Sequence, residues 1–381
     1  MRNQPSHADC IEQWLSVLGA DGIGPTLFRR LLDYVGSPAE ILKASEITLT
    51  AVEGIGPAKA RKIKASLGRF DTTAELSLAD RLGVHLIHLN DPRYPSSLKS
   101  IYDPPPVLYI KGRLQSEHAL AVAIVGARRA SIYGQEQASR LAYQLASSGF
   151  TVISGMARGI DTAAHQGALA AGGQTLAIQG CGLARIFPPE NQTLFTKIAD
   201  AGACISEFPL TYEPLPQNFP ARNRIIAGLS LGTIVVEATP RSGALITARC
   251  ALDQNREVMA VPGRIDSPLS RGPHRLLRDG ATIVTSVQDV VEALGVVGRQ
   301  LKDHVKQAIQ KNRPDLNASP RPALDPTEQR IYEQLAHAPQ HTDHIVANTQ
   351  LPAGTVTATL VGLQLKGMVR CLPGNLFAAR R

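Results

Sequence analysis

The chain has 381 residues, of which 44% are hydrophobic, and this is enough for two or three domains with apolar cores. Forty Lys and Arg residues against 32 Asp and Glu residues give a formal net charge of +8, which favours a polyanionic partner. No stretch approaches the ~18 consecutive apolar residues that a membrane-spanning helix needs, and the N-terminus is polar. We therefore expect a cytoplasmic protein with no membrane contact.

The cysteines and histidines do not indicate a metal centre. The five cysteines form no C-x-x-C pair, so we expect reduced and mostly structural thiols. His337, His341 and His344 are close in sequence, but a polar loop before a helix explains this spacing better than a set of metal ligands. We expect no metal and no cofactor.

Residues 1–70 contain the turn Gly-Ile-Gly-Pro twice, at residues 22–25 and 54–57. Each copy predicts a helix that begins with proline, and the glycines permit a tight turn between helices. The pattern resembles the helix-hairpin-helix family, which implies a helical, SAM-like domain whose turns offer N–H groups to a DNA phosphate. The alternative is a helical cap in which the turns only pack helices. The DNA-binding interpretation gives accessory contacts at Gly54, Gly56, Lys59 and Lys62, next to Arg61 and Lys64.

From about residue 115 to residue 295, short β-branched segments alternate with amphipathic ones, which predicts parallel strands joined by crossover helices. The predicted strands are residues 119–125, 151–154, 175–179, 203–206, 233–237, 257–261 and 282–284. The predicted helices lie near residues 133–147, 162–171, 191–200, 222–230, 243–253, 271–278 and 286–294. We expect an α/β domain over residues 71–295 with a doubly wound parallel sheet of Rossmann type, which binds ligands at the carboxyl ends of its strands.

The turn after the first predicted strand is the most informative one. It carries Gly126, Arg128 and Arg129 without the further glycines of a G-x-G-x-x-G dinucleotide turn. A strand-to-helix turn directs N–H groups at anions, and two long cations favour an exposed or polymeric phosphate backbone. The next turn contains Arg158, and Asp161 stands where an N-cap is expected.

A later helix start combines an aromatic residue with arginines. Phe219 precedes Arg222 and Arg224 at what the sequence predicts to be an exposed helix start. An aromatic ring beside arginines is typical of stacking on single-stranded nucleic acid, although Phe219 could equally be a core residue. Asn191 is predicted to cap one helix, and Ser242 begins another.

Seven segments in order resemble the DprA/Smf family of bacterial DNA-processing proteins. They include VGARRAS, SGMARGIDTAAHQGAL, FPARNRIIAGLS and VVEATPRSGALITA. The resemblance implies an extended Rossmann-like fold that binds single-stranded DNA, loads RecA during natural transformation, works with single-strand binding protein and forms a homodimer. Gln192 and Thr193 stand where the family often carries a lysine, so this wall of the site is expected to be less basic. The implied DNA contacts are Gly126, Arg128, Ser154, Gly155, Phe219, Arg222, Asn223, Arg224, Ser242 and Gly243.

Beyond residue 295 the chain becomes polar. Basic residues and prolines predict a linker over residues 296–326. Residues 327–381 resemble a winged-helix domain, with helices near 327–335, 341–348 and 354–366 and a hairpin at 368–377. The third helix carries one basic residue, Lys366, which favours a protein-contact or regulatory module. Duplex binding stays open because of Arg370, Arg380 and Arg381.

Two functions are consistent with these sequence patterns. The favoured one is a non-enzymatic single-stranded DNA binder and recombination mediator. The alternative is a nucleotide-processing enzyme of the lysine-decarboxylase-like phosphoribohydrolase type, with Glu237 at a strand end, but the P-G-G-x-G-T turn of those enzymes is absent. The sequence indicates no nucleophile with its base and no group of metal-binding acids. Removal of residues 1–70 or 327–381 is expected to leave the central domain folded.

Overall fold

The computed structural model divides the chain into two compact units, residues 1–310 and 311–381. The described stretches are residues 10–114, 120–295, 324–335, 340–365, 368–372 and 376–379. Outside them lie most of the predicted linker at 296–326, residue 119, His337, Lys366, the predicted turn at 373–375, Arg380 and Arg381. Within the described stretches no helix is long and apolar enough to cross a membrane.

Six helices occupy the N-terminal part of the first unit. They are α1 (Ile11–Leu18), α2 (Pro25–Val35), α3 (Pro38–Lys43), α4 (Glu46–Thr50), α5 (Pro57–Ser66) and α6 (Thr72–Leu82). Helices α2 and α5 each begin with the proline of a Gly-Ile-Gly-Pro turn, as predicted, because the proline ring fixes a helical φ. Gly22 and Gly54 have φ angles of 82° and 88°, which only glycine adopts without strain. The two copies therefore share the same local structure.

A nine-stranded sheet follows, with the order β1-β2-β6-β5-β4-β3-β7-β8-β9. The strands are β1 (Val84–His88), β2 (Val107–Gly112), β3 (Ala121–Val125), β4 (Thr151–Ser154), β5 (Thr175–Ile178), β6 (Ala203–Ser206), β7 (Gly232–Val235), β8 (Glu257–Ala260) and β9 (Thr282–Ile283). Strands β3 to β9 pair in parallel, as predicted. Strands β1 and β2 were not predicted, and they extend one edge of the sheet by antiparallel pairing.

The strand order places a topological switch point between β3 and β7. From β3 the chain moves outward through β4, β5 and β6 on one side, and it then returns to β7, β8 and β9 on the other. Open α/β sheets bind ligands at the carboxyl ends of the strands that flank such a point. The connecting helices are α7 (Ser96–Lys99), α8 (Ile132–Ser147), α9 (Ile160–Ala170), α10 (Gln192–Ala201), α11 (Asn218–Gly228), α12 (Gly243–Asp253), α13 (Arg271–Arg278) and α14 (Val287–Ala293).

The helical segment and the sheet share one apolar core. Trp14 of α1 stacks on Phe28 and on His88 of β1, with ring centroids 5.3 and 4.7 Å apart. Arg29 of α2 donates hydrogen bonds to the carbonyls of Ile101 and Tyr102. Buried side chains from α1 to β8 form one continuous cluster. The predicted boundary near residue 70 therefore separates two sequence patterns and not two separate cores, and independent folding of the central domain stays a prediction.

The described residues of the second unit form three helices and a three-stranded sheet of order β10-β12-β11. The elements are α15 (Pro326–Leu335), β10 (Gln340–His341), α16 (Thr342–Thr349), α17 (Ala353–Leu365), β11 (Val369–Leu372) and β12 (Leu376–Ala379). The three helices and the hairpin were predicted, whereas the short strand β10 was not. Ile331, Ile345, Leu360 and Val369 are buried in the core of this unit.

We expect Phe28→Ala to lower the free energy of unfolding of the first unit by ~3–5 kcal/mol, because a fully buried aromatic side chain is lost. Urea unfolding would be followed by the fluorescence of Trp14 and by alkylation of the buried thiol of Cys204 in β6. A shared core requires both transitions to shift together. Tyr34→Ala is the control, since Tyr34 is 59% exposed. A shift confined to the fluorescence transition would show that the helices fold as a separate domain.

Candidate nucleic-acid interface

A cavity of about 630 Å³ opens at the switch point of the sheet. Its walls come from the turns that follow β3, β4 and β7 and from helices α11 and α12. The predicted contacts Gly126, Arg128, Phe219, Arg222, Asn223, Ser242 and Gly243 all line it. Several other lining residues were not predicted from the sequence: Phe187, Pro214, Pro216, Thr239, Ile246, Thr247 and Leu269.

The turn after β3 forms one wall of the cavity and presents Arg128 and Arg129, which are both exposed. Gly126 is required here because a side chain would press on Ile160 and on a backbone carbonyl. At the end of this turn the backbone N–H and the hydroxyl of Ser131 donate hydrogen bonds to the carboxylate of Glu237, at 2.8 and 2.6 Å. Glu237, the residue behind the enzyme alternative, therefore serves to hold the turn.

The turn after β4 is fixed by buried polar side chains, and two predicted caps have other roles. Helix α9 begins at Ile160, so Asp161 lies inside the helix and is not its N-cap. Its carboxylate instead accepts hydrogen bonds from the N–H groups of Gly155 and Ala157. Asn191 makes no capping bond to α10. Its amide donates to the carbonyl of Met156 and to a threonine hydroxyl, both at 2.9 Å.

Ser154 and Gly155 support the cavity from below. The hydroxyl of Ser154 is buried and donates to the carbonyl of Ile124 at 2.6 Å, so it faces away from the ligand space. The carbonyl of Gly155 accepts a hydrogen bond from the Nη1 group of Arg222. A side chain at Gly155 would collide with that guanidinium. Gly155 thus positions the arginine and lines a small recess beside the cavity, whereas neither residue lines the cavity itself.

Arg222 is the buried cation of the site. Its Nη1 group also donates to the carbonyl of Ile178 at the end of β5. Burial lowers the pKa of Arg222 to about 10, and the nearby carboxyl of Asp161 acts in the opposite direction, so the guanidinium stays charged at neutral pH. Burial likewise raises the pKa of Asp161, which Arg222 opposes. Arg222 therefore remains a cation at the base of the cavity, with the carboxyl of Asp161 nearby.

Phe219 lies between cations and a second aromatic ring. The guanidinium carbon of Arg128 is 5.0 Å from the centroid of the Phe219 ring, and that of Arg222 is 6.0 Å away. Phe187 lies at 5.5 Å with a tilt of 41°. The Phe219 ring is half-buried, so it is not a core residue. An aromatic surface with adjacent guanidinium groups can stack a base and bind the phosphates beside it.

Helix α11 begins at Asn218 and not near residue 222 as predicted. The predicted start was expected to be exposed, but the helix is buried from Arg222 onward. Arg224 lies on the far side of the helix and does not line the cavity. Its guanidinium makes two bonds to the carboxylate of Glu207, at 2.6 and 2.7 Å, and one to Asp103 at 2.9 Å. The side chains of Arg224 and Glu207 are 10% and 8% exposed. The geometry therefore gives Arg224 a structural role in place of the predicted phosphate contact.

The other predicted residues occupy helix starts. Ser242 caps α12 by accepting a hydrogen bond from the N–H of Ala244, as predicted. The amide of Asn223 donates to the carbonyl of Gly243 at 3.2 Å and so joins α11 to α12. This arrangement leaves the start of α12, with the positive end of its helix dipole, at the cavity wall.

The accessory residues lie in the helical segment, outside the cavity lining. Both lysines lie on α5, where Lys59 is half-buried and Lys62 is exposed. Lys59 is 3.4 Å from the carbonyl of Gly54, and Lys62 forms an exposed ion pair of 3.8 Å with Asp21. DNA contact by Gly54, Gly56 and these lysines stays a prediction. Among the described residues no group of three metal-binding side chains occurs.

We expect Arg224→Met to lower the free energy of unfolding by ~3–5 kcal/mol, because it leaves the carboxylate of Glu207 buried without its cation. The salt dependence of DNA binding should not change. Urea unfolding and binding titrations would measure the two effects. In a matched double variant, Glu207→Leu added to Arg224→Met should restore much of the stability. A stable Arg224→Met protein with a reduced salt slope would instead show that Arg224 contacts phosphate.

Comparisons with known proteins cover all three parts of the chain. The family model described as DNA recombination-mediator protein A matches residues 85–295. Residues 15–69 match a SAM-like helix-hairpin-helix tandem, and residues 316–375 match the DprA winged helix domain. The winged-helix match begins inside the segment predicted to be a linker over residues 296–326.

Individual relatives agree with the family models. Protein Smf of Synechocystis sp. is 35% identical over 390 residues, covering 96% of this chain and 98% of the relative. The crystal structure of DNA processing protein A from Streptococcus pneumoniae superposes with a TM-score of 0.65 at 34% identity, over 75% of this chain and 98% of that one. A structure of DNA processing protein A from Helicobacter pylori, described for its single-stranded DNA binding mode, gives 0.50 at 30% identity, over 58% and 96%. The chain belongs to the DNA recombination-mediator protein A family, also called DprA/Smf.

Proposed function

We propose that this protein binds single-stranded DNA in the switch-point cavity and acts as a DNA recombination mediator. The observation that carries the proposal is the half-buried ring of Phe219 with the guanidinium groups of Arg128 and Arg222 beside it. Stacking needs an unpaired base, so this arrangement favours a single strand over a duplex. Family membership supports it, and so does the Helicobacter pylori relative, whose structure is described for its single-stranded DNA binding mode.

The cavity offers both kinds of contact that a single strand needs. Phe219 and Phe187 provide aromatic surface for bases. Exposed Arg128 and Arg129 provide cations for the phosphates, and the start of α12 at Gly243 adds the positive end of a helix dipole. A volume of about 630 Å³ is in the range that holds one small ligand, so the strand would place a nucleotide inside and continue across the rim.

Family membership also supports a finer proposal. We propose that the protein loads RecA onto incoming single strands during natural transformation, together with single-strand binding protein. We also propose a homodimer, because two modest sites on one strand gain from their high effective concentration. In this proposal the protein works without catalysis. The enzyme alternative loses its main support because Glu237 accepts two hydrogen bonds from Ser131 and holds a turn.

The experiment that tests this function is a titration of the full chain with fluorescent single-stranded and duplex oligonucleotides of equal length across a salt series. We expect tighter binding to the single strand and an affinity that falls steeply with salt, since bound phosphates release counterions. Equal, weak binding to both forms would refute the proposal. If the single strand is bound more tightly, RecA loading would be tested next, by RecA filament formation on DNA covered with single-strand binding protein.

Arg128→Ala and Phe219→Ala should affect single-strand binding in different ways. Arg128 is exposed at the cavity, so its loss should reduce the slope of log K against log salt by ~0.7 for one phosphate contact. Phe219→Ala should weaken binding and leave the slope unchanged, because stacking releases no counterions. Each variant serves as the control for the other. An unchanged slope in Arg128→Ala would show that Arg128 does not contact a phosphate.

A further inference from the structure

A small recess adjoins the main cavity and contains one more arginine. The recess shares Arg128, Phe187 and Phe219 with the cavity and adds Arg158 from the turn after β4. The side chain of Arg158 is 59% exposed. A strand that stacks on Phe219 and leaves across Phe187 would therefore bring its next phosphate to Arg158.

Arg158 already holds an anionic group in this structure. Its Nε and Nη2 groups both donate to the carboxylate of Glu190, with Nη2 to Oε2 at 3.1 Å. These mutual hydrogen bonds raise the pKa of Arg158 and lower that of Glu190. A two-pronged bond to two oxygens is also how a guanidinium binds phosphate. Glu190 thus occupies the position that a phosphate would take.

We propose that Glu190 competes with the DNA backbone for Arg158, and that a bound strand displaces this carboxylate so that Arg158 becomes a second phosphate contact. This inference rests on the proposed single-strand binding. The exchange is feasible because both side chains are at least half exposed, and such ion pairs contribute little to stability. The pair of Arg224 with Glu207 differs because both partners are almost fully buried.

The competition makes binding selective for strands. A single nucleotide would have to displace Glu190 at its own low concentration. A strand already held at Arg128 and Phe219 presents its next phosphate at a high effective concentration. Gln192 and Thr193 add no positive charge on this side of the site. Displacement of Glu190 is therefore the way in which this wall gains a free cation.

The test is a double-mutant cycle with Glu190→Gln, Arg158→Ala and the combined variant, titrated with a single-stranded oligonucleotide across a salt series. Glu190→Gln should tighten binding across the salt series, because no carboxylate then competes with the phosphate for Arg158. Arg158→Ala alone should weaken binding and reduce the slope of log K against log salt by ~0.7, because the bound wild-type protein uses this arginine as a phosphate contact. In the combined variant the gain of Glu190→Gln should disappear.

Asp279→Asn is the matched control, because it also removes a carboxylate from an exposed arginine pair, with Arg275 at 3.6 Å. It lies just before β9, at the amino end of the sheet and away from the cavity. Unchanged binding by Glu190→Gln would overturn the inference. Equal gains from Asp279→Asn, or a gain that survives in the combined variant, would also overturn it, since either would show a general effect of charge. Loss of the effect of Arg128→Ala would instead refute the underlying function.

Discussion

The geometry of the switch-point cavity depends on one buried guanidinium. Arg222 donates hydrogen bonds to the carbonyls of Gly155 and Ile178, at the ends of two neighbouring strands, and lies beside the carboxyl of Asp161. A buried cation without these partners would be very costly, so the strand ends must keep this geometry when the chain folds. The same guanidinium then lies beside the ring of Phe219. A requirement of folding therefore also positions the binding surface.

Four arginines near the cleft have four different roles because their burial and partners differ. Arg222 is buried against carbonyls, and Arg224 is buried against carboxylates. Arg128 is exposed and lies over an aromatic ring. Arg158 is exposed and paired with a carboxylate. An exposed guanidinium exchanges its partner easily, whereas a buried one cannot leave its partner without leaving a charge uncompensated. The exposed arginines are thus available to DNA.

The sequence was sufficient for features that depend on neighbouring residues. Parallel strands such as β3 are continuous apolar runs, and a proline after Gly-Ile-Gly begins a helix in both copies. Roles that depend on distant residues were missed. The partners of Arg224 are 17 and 121 residues away, so no local pattern distinguishes it from a phosphate-binding arginine. Asp161 was misassigned because the helix begins two residues earlier than its capping position requires.

The helical segment reaches the cleft through a short series of polar contacts. Arg29 of α2 holds the carbonyls of Ile101 and Tyr102. The next residue, Asp103, pairs with Arg224 of α11, the helix that carries the aromatic and cationic side chains of the cavity. Because α2 begins at the first Gly-Ile-Gly-Pro turn, that turn already has a structural purpose in supporting the cleft. DNA contact by the lysines of α5 would therefore add to the packing role of the helical segment and would not replace it.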